Sequence, residues 1–158
     1  MNKIGFTPIG YVHNDATENT HSEEFRRMES VIIIDPKYGD GLMGIEVNEL
    51  ITVVFFFDRN DGYSLRLHPR GDISRPITGV FNTRSQMRPN PIGITVVKLK
   101  SRKGNKLLVE GLDALDGTPV LDIKPHVLTF DEGVEIDDPG KDRALKAVSQ
   151  QPGGRVHR

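Results

Sequence analysis

Apolar positions recur along this chain in short runs rich in β-branched or aromatic residues and closed by Gly, Pro, Asn or Asp, which is the pattern of strands. The runs are Ile9 to Val12, Ser30 to Ile34, Ile51 to Phe57, Tyr63 to Leu67, Thr78 to Phe81, Ile92 to Leu99 and Lys106 to Leu112. Between the last two, the polar stretch Lys100-Ser101-Arg102-Lys103-Gly104-Asn105-Lys106 predicts a hairpin turn, and therefore antiparallel pairing. Helical patterning is confined to Ser22–Met28 and to Lys141–Gln150, where Ala144, Leu145 and Val148 fall on one side after Pro139-Gly140. Neither helix alternates with strands. The expected fold is mainly β: a single-domain β-barrel over residues 1–150 with short peripheral helices, not an alternating α/β (Rossmann) fold. Residues Gln151 to Arg158, with Pro152-Gly153-Gly154, hold too little apolar material to pack and are expected to form a disordered tail.

Composition narrows the classes. The chain has 158 residues, 36% apolar and 27% charged, enough for one core. Its longest apolar run, Leu50 to Phe57 with Thr52 inside it, is far shorter than the roughly 20 residues of a membrane-spanning helix. Gly5 and Pro8 interrupt the N-terminus before a secretory core can form, so a cytoplasmic location is expected. The absence of cysteine removes disulfides, thiolate nucleophiles and iron–sulfur clusters from consideration. Net charge is −1, yet Arg59 to Lys106 carries eleven basic residues against two acidic, leaving ten basic against twenty acidic elsewhere. Such segregation suits phosphate contacts on one face, or a hairpin whose lysines merely solvate it.

Gly39-Asp40-Gly41-Leu42-Met43-Gly44 spells GxGxxG, but Asp35-Pro36-Lys37-Tyr38 separates it from the preceding strand and another strand follows. A dinucleotide site needs those glycines to open a helix directly after a strand. His13, His21, His68, His126 and His157 show no metal-ligand spacing, so no metal is expected. No GxSxG elbow is present. Phe55-Phe56-Phe57 fits alternating core and surface positions of a strand better than a base-stacking platform.

Two segments differ in kind. In Gly79 to Gly93, Pro89 and Pro91 restrict the backbone around Asn90 to an extended pocket wall, Arg84 and Arg88 sit four apart, and Gly93 leaves room for a close approach. In Gly111 to Pro125, Asp113, Asp116 and Asp122 punctuate an apolar stretch, with Asp116-Gly117 as a turn pair. Half-buried carboxylates need partners: Arg84 and Arg88, or polar groups of a ligand.

Gly-Val-Phe-Asn-Thr-Arg-Ser…Arg-Pro-Asn-Pro-Ile-Gly at 79–93, followed by Leu-Asp…Asp-Gly-Thr-Pro-Val-Leu-Asp-Ile-Lys-Pro at 112–125, resembles the TrmO (TsaA-like, YaeB) family. Pro8-Ile9-Gly10 and Gly41-Leu42…Gly44-Ile45-Glu46 fit as well, so the resemblance spans Phe6 to Asp131. It implies a homodimeric β-barrel methyltransferase that uses S-adenosylmethionine and methylates the exocyclic nitrogen of threonylcarbamoyladenosine beside a tRNA anticodon. Carried residue by residue, it implies cofactor contacts at Asp58, Arg59, Arg84, Ile94, Leu112, Asp113, Ala114 and Leu115. Ser85, Arg88, Asn90 and Asp116 are expected to bind substrate or shape the pocket. Asp113 and Asp58 are the candidate proton acceptors.

The chain departs from the family pattern at several positions. The family commonly has histidine where Asp58 stands, and a Pro-Arg-Gln motif where this chain has Glu24-Phe25-Arg26-Arg27-Met28. Asn82, Gln86 and His126 replace alanine, proline and tyrosine. On this reading, no counterpart of the additional C-terminal domain of longer members is expected. These departures keep two alternatives open: methylation of a small molecule, and S-adenosylmethionine binding without turnover.

Overall fold

A computed structural model describes residues 1–127 and residue 131. Its elements are β1 (Gly10–His13), α1 (Ser22–Phe25), β2 (Glu29–Ile34), β3 (Leu50–Phe56), β4 (Arg66–Leu67), β5 (Thr78–Gly79), β6 (Ile92–Lys103), β7 (Lys106–Glu110) and β8 (Pro119–Pro125). Six strands close into a barrel in the order β1-β2-β7-β6-β3-β8, with β8 pairing back to β1, while β4 and β5 form a separate two-stranded ribbon. Every pairing is antiparallel. The mainly β, non-Rossmann architecture is that expected from the hydrophobic pattern.

Period-2 alternation places one side chain in two inside the barrel. Ser30, Ile32 and Ile34 of β2, Ile51, Val53 and Phe55 of β3, Leu107 and Val109 of β7, and Val120 of β8 are buried. Val12, Leu42, Val97, Leu112 and Ala114 complete the same core. Two irregularities help the sheet curl shut. Register shifts fall between Val54 and Phe55 against β8, and between Leu99 and Ser101 against β7; an extra residue on one strand raises local twist.

Several expectations are corrected. β8 was not expected as a strand: apart from Val120, its residues are only half-buried or exposed, so the alternation is faint, and pairing on both sides makes the strand. Tyr63–Leu67 contracts to Arg66–Leu67, and Thr78–Phe81 to Thr78–Gly79 followed by a 3₁₀ turn at Val80–Asn82. The hairpin exists, but β6 runs on to Lys103, leaving Gly104-Asn105 as a two-residue turn. Gly104 has φ 61 and Asn105 is not in the positive-φ region, the II′ arrangement that needs glycine first. The GxGxxG stretch lies in a 3₁₀ turn, Pro36–Leu42, and Gly44 leads through a second one to β3.

Met1–His126 forms one compact unit, and a second begins at Val127. The helix expected at Lys141–Gln150 and the tail Gln151–Arg158 lie outside the described residues. Among the described residues no helix is long and apolar enough to cross a membrane, and no group of His, Asp and Glu is arranged to hold a metal.

Candidate cofactor cavity

Two crossings of the barrel rim, far apart in sequence, meet at one cavity. Where β3 ends, Phe57 donates its N–H to the Pro91 carbonyl at 2.8 Å, and the Asp58 N–H turns back onto the Phe56 carbonyl at 2.9 Å. The chain then places Asp58, Arg59 and Asn60 at the cavity wall. Beyond β7, Gly111 has φ 93, which glycine alone adopts easily, and the chain enters an alternating segment. Leu112 and Ala114 point into the core, so Asp113 and Leu115 face outward.

A turn at Asp116-Gly117 closes that segment, with Gly117 at φ 80 and its N–H on the Val12 carbonyl at 2.8 Å. An Arg59 guanidinium N–H bonds the Asp116 carbonyl at 2.6 Å and ties the two crossings together. The resulting hollow is about 410 Å³, within the range of small-molecule sites. Asp58, Arg59, Asp113, Ala114 and Leu115 line it, together with Phe25, Phe57, Gln86 and Thr17–Glu18.

The two acids of the loop are in opposite electrostatic situations. Desolvation pushes the Asp113 carboxyl above its ordinary pKa, with the Arg84 guanidinium acting against it. Asp116 is held below its ordinary value: its Oδ1 accepts the Asn14 N–H at 3.0 Å and a hydrogen bond from His13 Nδ1 at 3.0 Å, and the charges of His13 and Arg59 add to this. Asp116 is thereby committed to the turn, whereas Asp113 lines the cavity.

The remaining predicted residues lie elsewhere. Arg84 donates to the Ile94 carbonyl at 2.5 Å, joining two positions that the sequence reading treated separately. Arg88 folds back on its own loop, donating to the carbonyls of Thr83 at 2.9 Å and Ser85 at 3.1 Å. Ser85 Oγ accepts the Met87 N–H at 3.1 Å, so these side chains fix the loop's shape and do not line the cavity. Asn90 is exposed. The backbone around it is bent, not extended: the Ile92 N–H reaches the Asn90 carbonyl at 2.8 Å across Pro91, a three-residue turn compatible with proline's fixed φ. Leu112 is fully buried, so only its backbone can serve a ligand.

The arginine network offered for the carboxylates does not form. Asp122 pairs with Lys124 at 2.8 Å, and among the described ion pairs Asp113 has none. Two of the five hairpin cations are paired: Lys100 lies 3.3 Å from Glu110 and 3.7 Å from Glu29, and Arg102 lies 2.9 Å from Glu46.

With this geometry in place, the comparison with known proteins is decisive. Residues 14–132 match the tRNA-methyltransferase O N-terminal domain. The chain belongs to the TrmO family. A probable S-adenosyl-L-methionine-binding protein of Pyrococcus abyssi is 39% identical over 139 residues, covering 84% of this chain and 74% of that protein. A tRNA (adenine(37)-N6)-methyltransferase of Mus musculus is 34% identical over 136 residues, covering 85% of this chain and 31% of its own. The crystal structure of TrmO from Pseudomonas aeruginosa superposes with a TM-score of 0.67 at 30% identity, covering 86% of this chain and 60% of that one. The chain thus spans about three fifths of that TrmO chain and under a third of the mouse enzyme.

Within this TrmO-family barrel, sequence reasoning missed His13 and Asn14, which anchor the Asp116 turn, and the wall from Thr17 to Phe25. Asn14 carried a signal: a polar amide directly after a strand, with its Oδ1 accepting the Ala16 N–H at 3.0 Å, is an Asx motif. Of the Thr17–Phe25 wall only the helical pattern is legible, shortened from Ser22–Met28 to Ser22–Phe25, because Thr17–Thr20 is a loop without periodicity.

Proposed function

We propose that the cavity between the Phe57–Asn60 and Asp113–Leu115 crossings holds S-adenosylmethionine, and that the protein methylates the exocyclic nitrogen of threonylcarbamoyladenosine beside a tRNA anticodon. Membership of the TrmO family, with relatives named as tRNA methyltransferases and as probable S-adenosyl-L-methionine-binding proteins, supports this reading. The observation that carries the site is the convergence of Asp58, Arg59, Asp113, Ala114 and Leu115, separated by more than fifty positions in the chain, on one hollow.

The donor set fits the group. Phe25, Phe57 and Leu115 offer apolar surface for a nucleobase, Glu18, Asp58 and Asp113 offer carboxylates to cationic groups, and Arg59 offers a guanidinium to a carboxylate. When bound, the cofactor supplies a methyl group on a positively charged sulfur. The chain's own contribution is to orient the reactants and exclude water, since alignment alone supplies much of the rate of a displacement. Asp113 is the proton acceptor of this reading: its carboxyl lines the cavity, and desolvation has raised its affinity for a proton toward working pH. Asp58 lines the same cavity and is the second candidate.

The functional form is a cytoplasmic homodimer of one barrel domain. Leu50 of β3 and Ile94 and Val96 of β6 leave 40%, 49% and 43% of their surface exposed on neighbouring outer positions, an apolar face suited to a second copy. Sedimentation of the purified protein tests this, and a monomer at micromolar concentration excludes it.

The deciding experiment incubates purified protein with S-adenosylmethionine and tRNA bearing threonylcarbamoyladenosine, then measures anticodon-loop nucleosides by mass spectrometry. A new methyl group on that nucleoside is the expected result. Calorimetric binding of the cofactor with no methylated tRNA overturns the substrate and favours methylation of a small molecule or binding without turnover; the archaeal relatives are named as probable S-adenosyl-L-methionine-binding proteins.

A further inference from the structure

The residue that follows β1 holds more of the cavity loop than any residue singled out in the sequence. Asn14 is half-buried. Its Nδ2 donates to the Ala114 carbonyl at 2.9 Å and to Ser30 Oγ at 2.9 Å, its Oδ1 accepts the Ala16 N–H, and its own N–H donates to Asp116 Oδ1. Ser30 is itself 1% exposed, so one end of this bridge is fixed in the core of β2. A single side chain therefore joins β1, β2 and the Leu112–Asp116 loop, yet it does not line the cavity.

The bond to Ala114 has a stereochemical consequence. The peptide linking Ala114 to Leu115 is planar and trans, so a carbonyl turned toward Asn14 turns the Leu115 N–H the opposite way. Leu115 lines the cavity, and among the described residues its N–H meets no acceptor. A backbone donor without a partner beside a hollow is a ready site for a polar ligand atom. The loop cannot rotate to hide it, because the Thr118 N–H bonds the Leu115 carbonyl at 3.2 Å and the Gly117 N–H bonds Val12.

We propose that Asn14 is a positioning residue for the cofactor: its amide fixes the Ala114–Leu115 peptide so that the Leu115 N–H is presented to a polar group of the bound S-adenosylmethionine. The inference rests on the reading that this cavity binds that cofactor. Asn14 acts through the loop and never touches the ligand.

The test compares wild type with Asn14→Asp, which keeps the shape and the Oδ1 acceptor but turns the donating group into one that repels the Ala114 carbonyl. Val97→Ala is the control, a core truncation in β6 that removes none of these hydrogen bonds. Calorimetry with S-adenosylmethionine is expected to show Kd raised at least tenfold in Asn14→Asp and less than threefold in Val97→Ala. Amide hydrogen exchange, read without ligand, is expected to quicken at Gly117 and Thr118 relative to the β2 core amides in Asn14→Asp only. An Asn14→Asp Kd within twofold of wild type overturns the proposal. If wild type itself binds no S-adenosylmethionine, the cofactor reading fails by itself. Unchanged relative exchange at Gly117 and Thr118 then still overturns the role of Asn14 in fixing the loop.

Discussion

Gly93 of β6 lies against Phe55 of β3 so closely that a Cβ there would stand 2.5 Å from two ring carbons, and 3.0 Å from the Phe57 ring. The close approach suspected at Gly93 is thus by the protein's own aromatic pair, whose rings meet edge to face with centroids 5.2 Å apart. Phe55 is fully buried and Phe57 lines the cavity, so core packing and cavity shape share one contact. Gly93→Ala is expected to destabilise the barrel by about 1–3 kcal/mol, the usual cost of overpacking, and to weaken cofactor binding by displacing Phe57. Urea unfolding and calorimetry check both, and wild-type values in either break the proposed coupling.

Asp113 predicts a pH dependence of definite sign. Its folded pKa is raised by desolvation, so the folded state binds the proton more tightly than the unfolded chain does. This group's contribution to stability is therefore fully present below its unfolded pKa and declines as pH rises through the folded one. Asp113→Asn is expected to remove that decline, leaving the variant relatively more stable at neutral pH. Turnover moves the other way: as proton acceptor, Asp113 must be ionised, so the rate falls on the acid side, at a pH shifted upward from that of an ordinary aspartate. Asp113→Asn should abolish turnover and leave cofactor affinity within tenfold. A variant retaining wild-type rate transfers the role to Asp58 or to water.

The barrel was legible because β2, β3 and β7 alternate cleanly, which only half-buried strands do. β8 was illegible because Asp122 and Lys124 interrupt its apolar pattern and a proline stands at each end, and only its neighbours β1 and β3 make it a strand. The site divides the same way. The stretch Asp113–Leu115 could be carried over by resemblance and Asp116-Gly117 is legible as a turn pair, but the commitment of the Asp116 carboxylate to His13 and Asn14 depends on partners distant in sequence. Asn14 and Asp116 stand 102 positions apart, a separation that local pattern does not encode.

Asp116 supplies the opposite pH signature. Its pKa is lowered first by the Asn14 N–H and then by His13, so its contribution to stability is present above the unfolded pKa and lost as pH falls through the folded one. Asp116→Asn keeps the shape but exchanges the charged acceptor for a neutral one. The variant is expected to be less stable than wild type near neutral pH, with the gap closing as pH falls through the lowered folded pKa of Asp116, below which wild type is neutral there too. Thermal unfolding across pH reads this directly, and a gap independent of pH removes the charge from the explanation.

Between β3 and β6 the chain leaves the cavity wall at Asn60 and returns to it at Gln86, carrying the β4–β5 ribbon outward. Arg66 and Arg70 are exposed on this excursion and form no ion pair among the described residues, while Arg75 is paired with Asp72 at 3.3 Å. Arg70 holds φ 57, the left-handed region that side chains other than glycine seldom adopt. Unpaired, exposed guanidinium groups on this excursion suit the phosphates of an anticodon loop, and phosphate contacts betray themselves by salt. The double change Arg66→Ala, Arg70→Ala is expected to weaken tRNA binding and to lower the slope of log affinity against log salt by about 1 to 2, since each single-strand contact contributes roughly 0.7. S-adenosylmethionine affinity should stay at the wild-type value. Lys100→Ala is the control, because its ammonium already sits between Glu29 and Glu110. An unchanged slope in the double variant would place the tRNA on another face of the barrel.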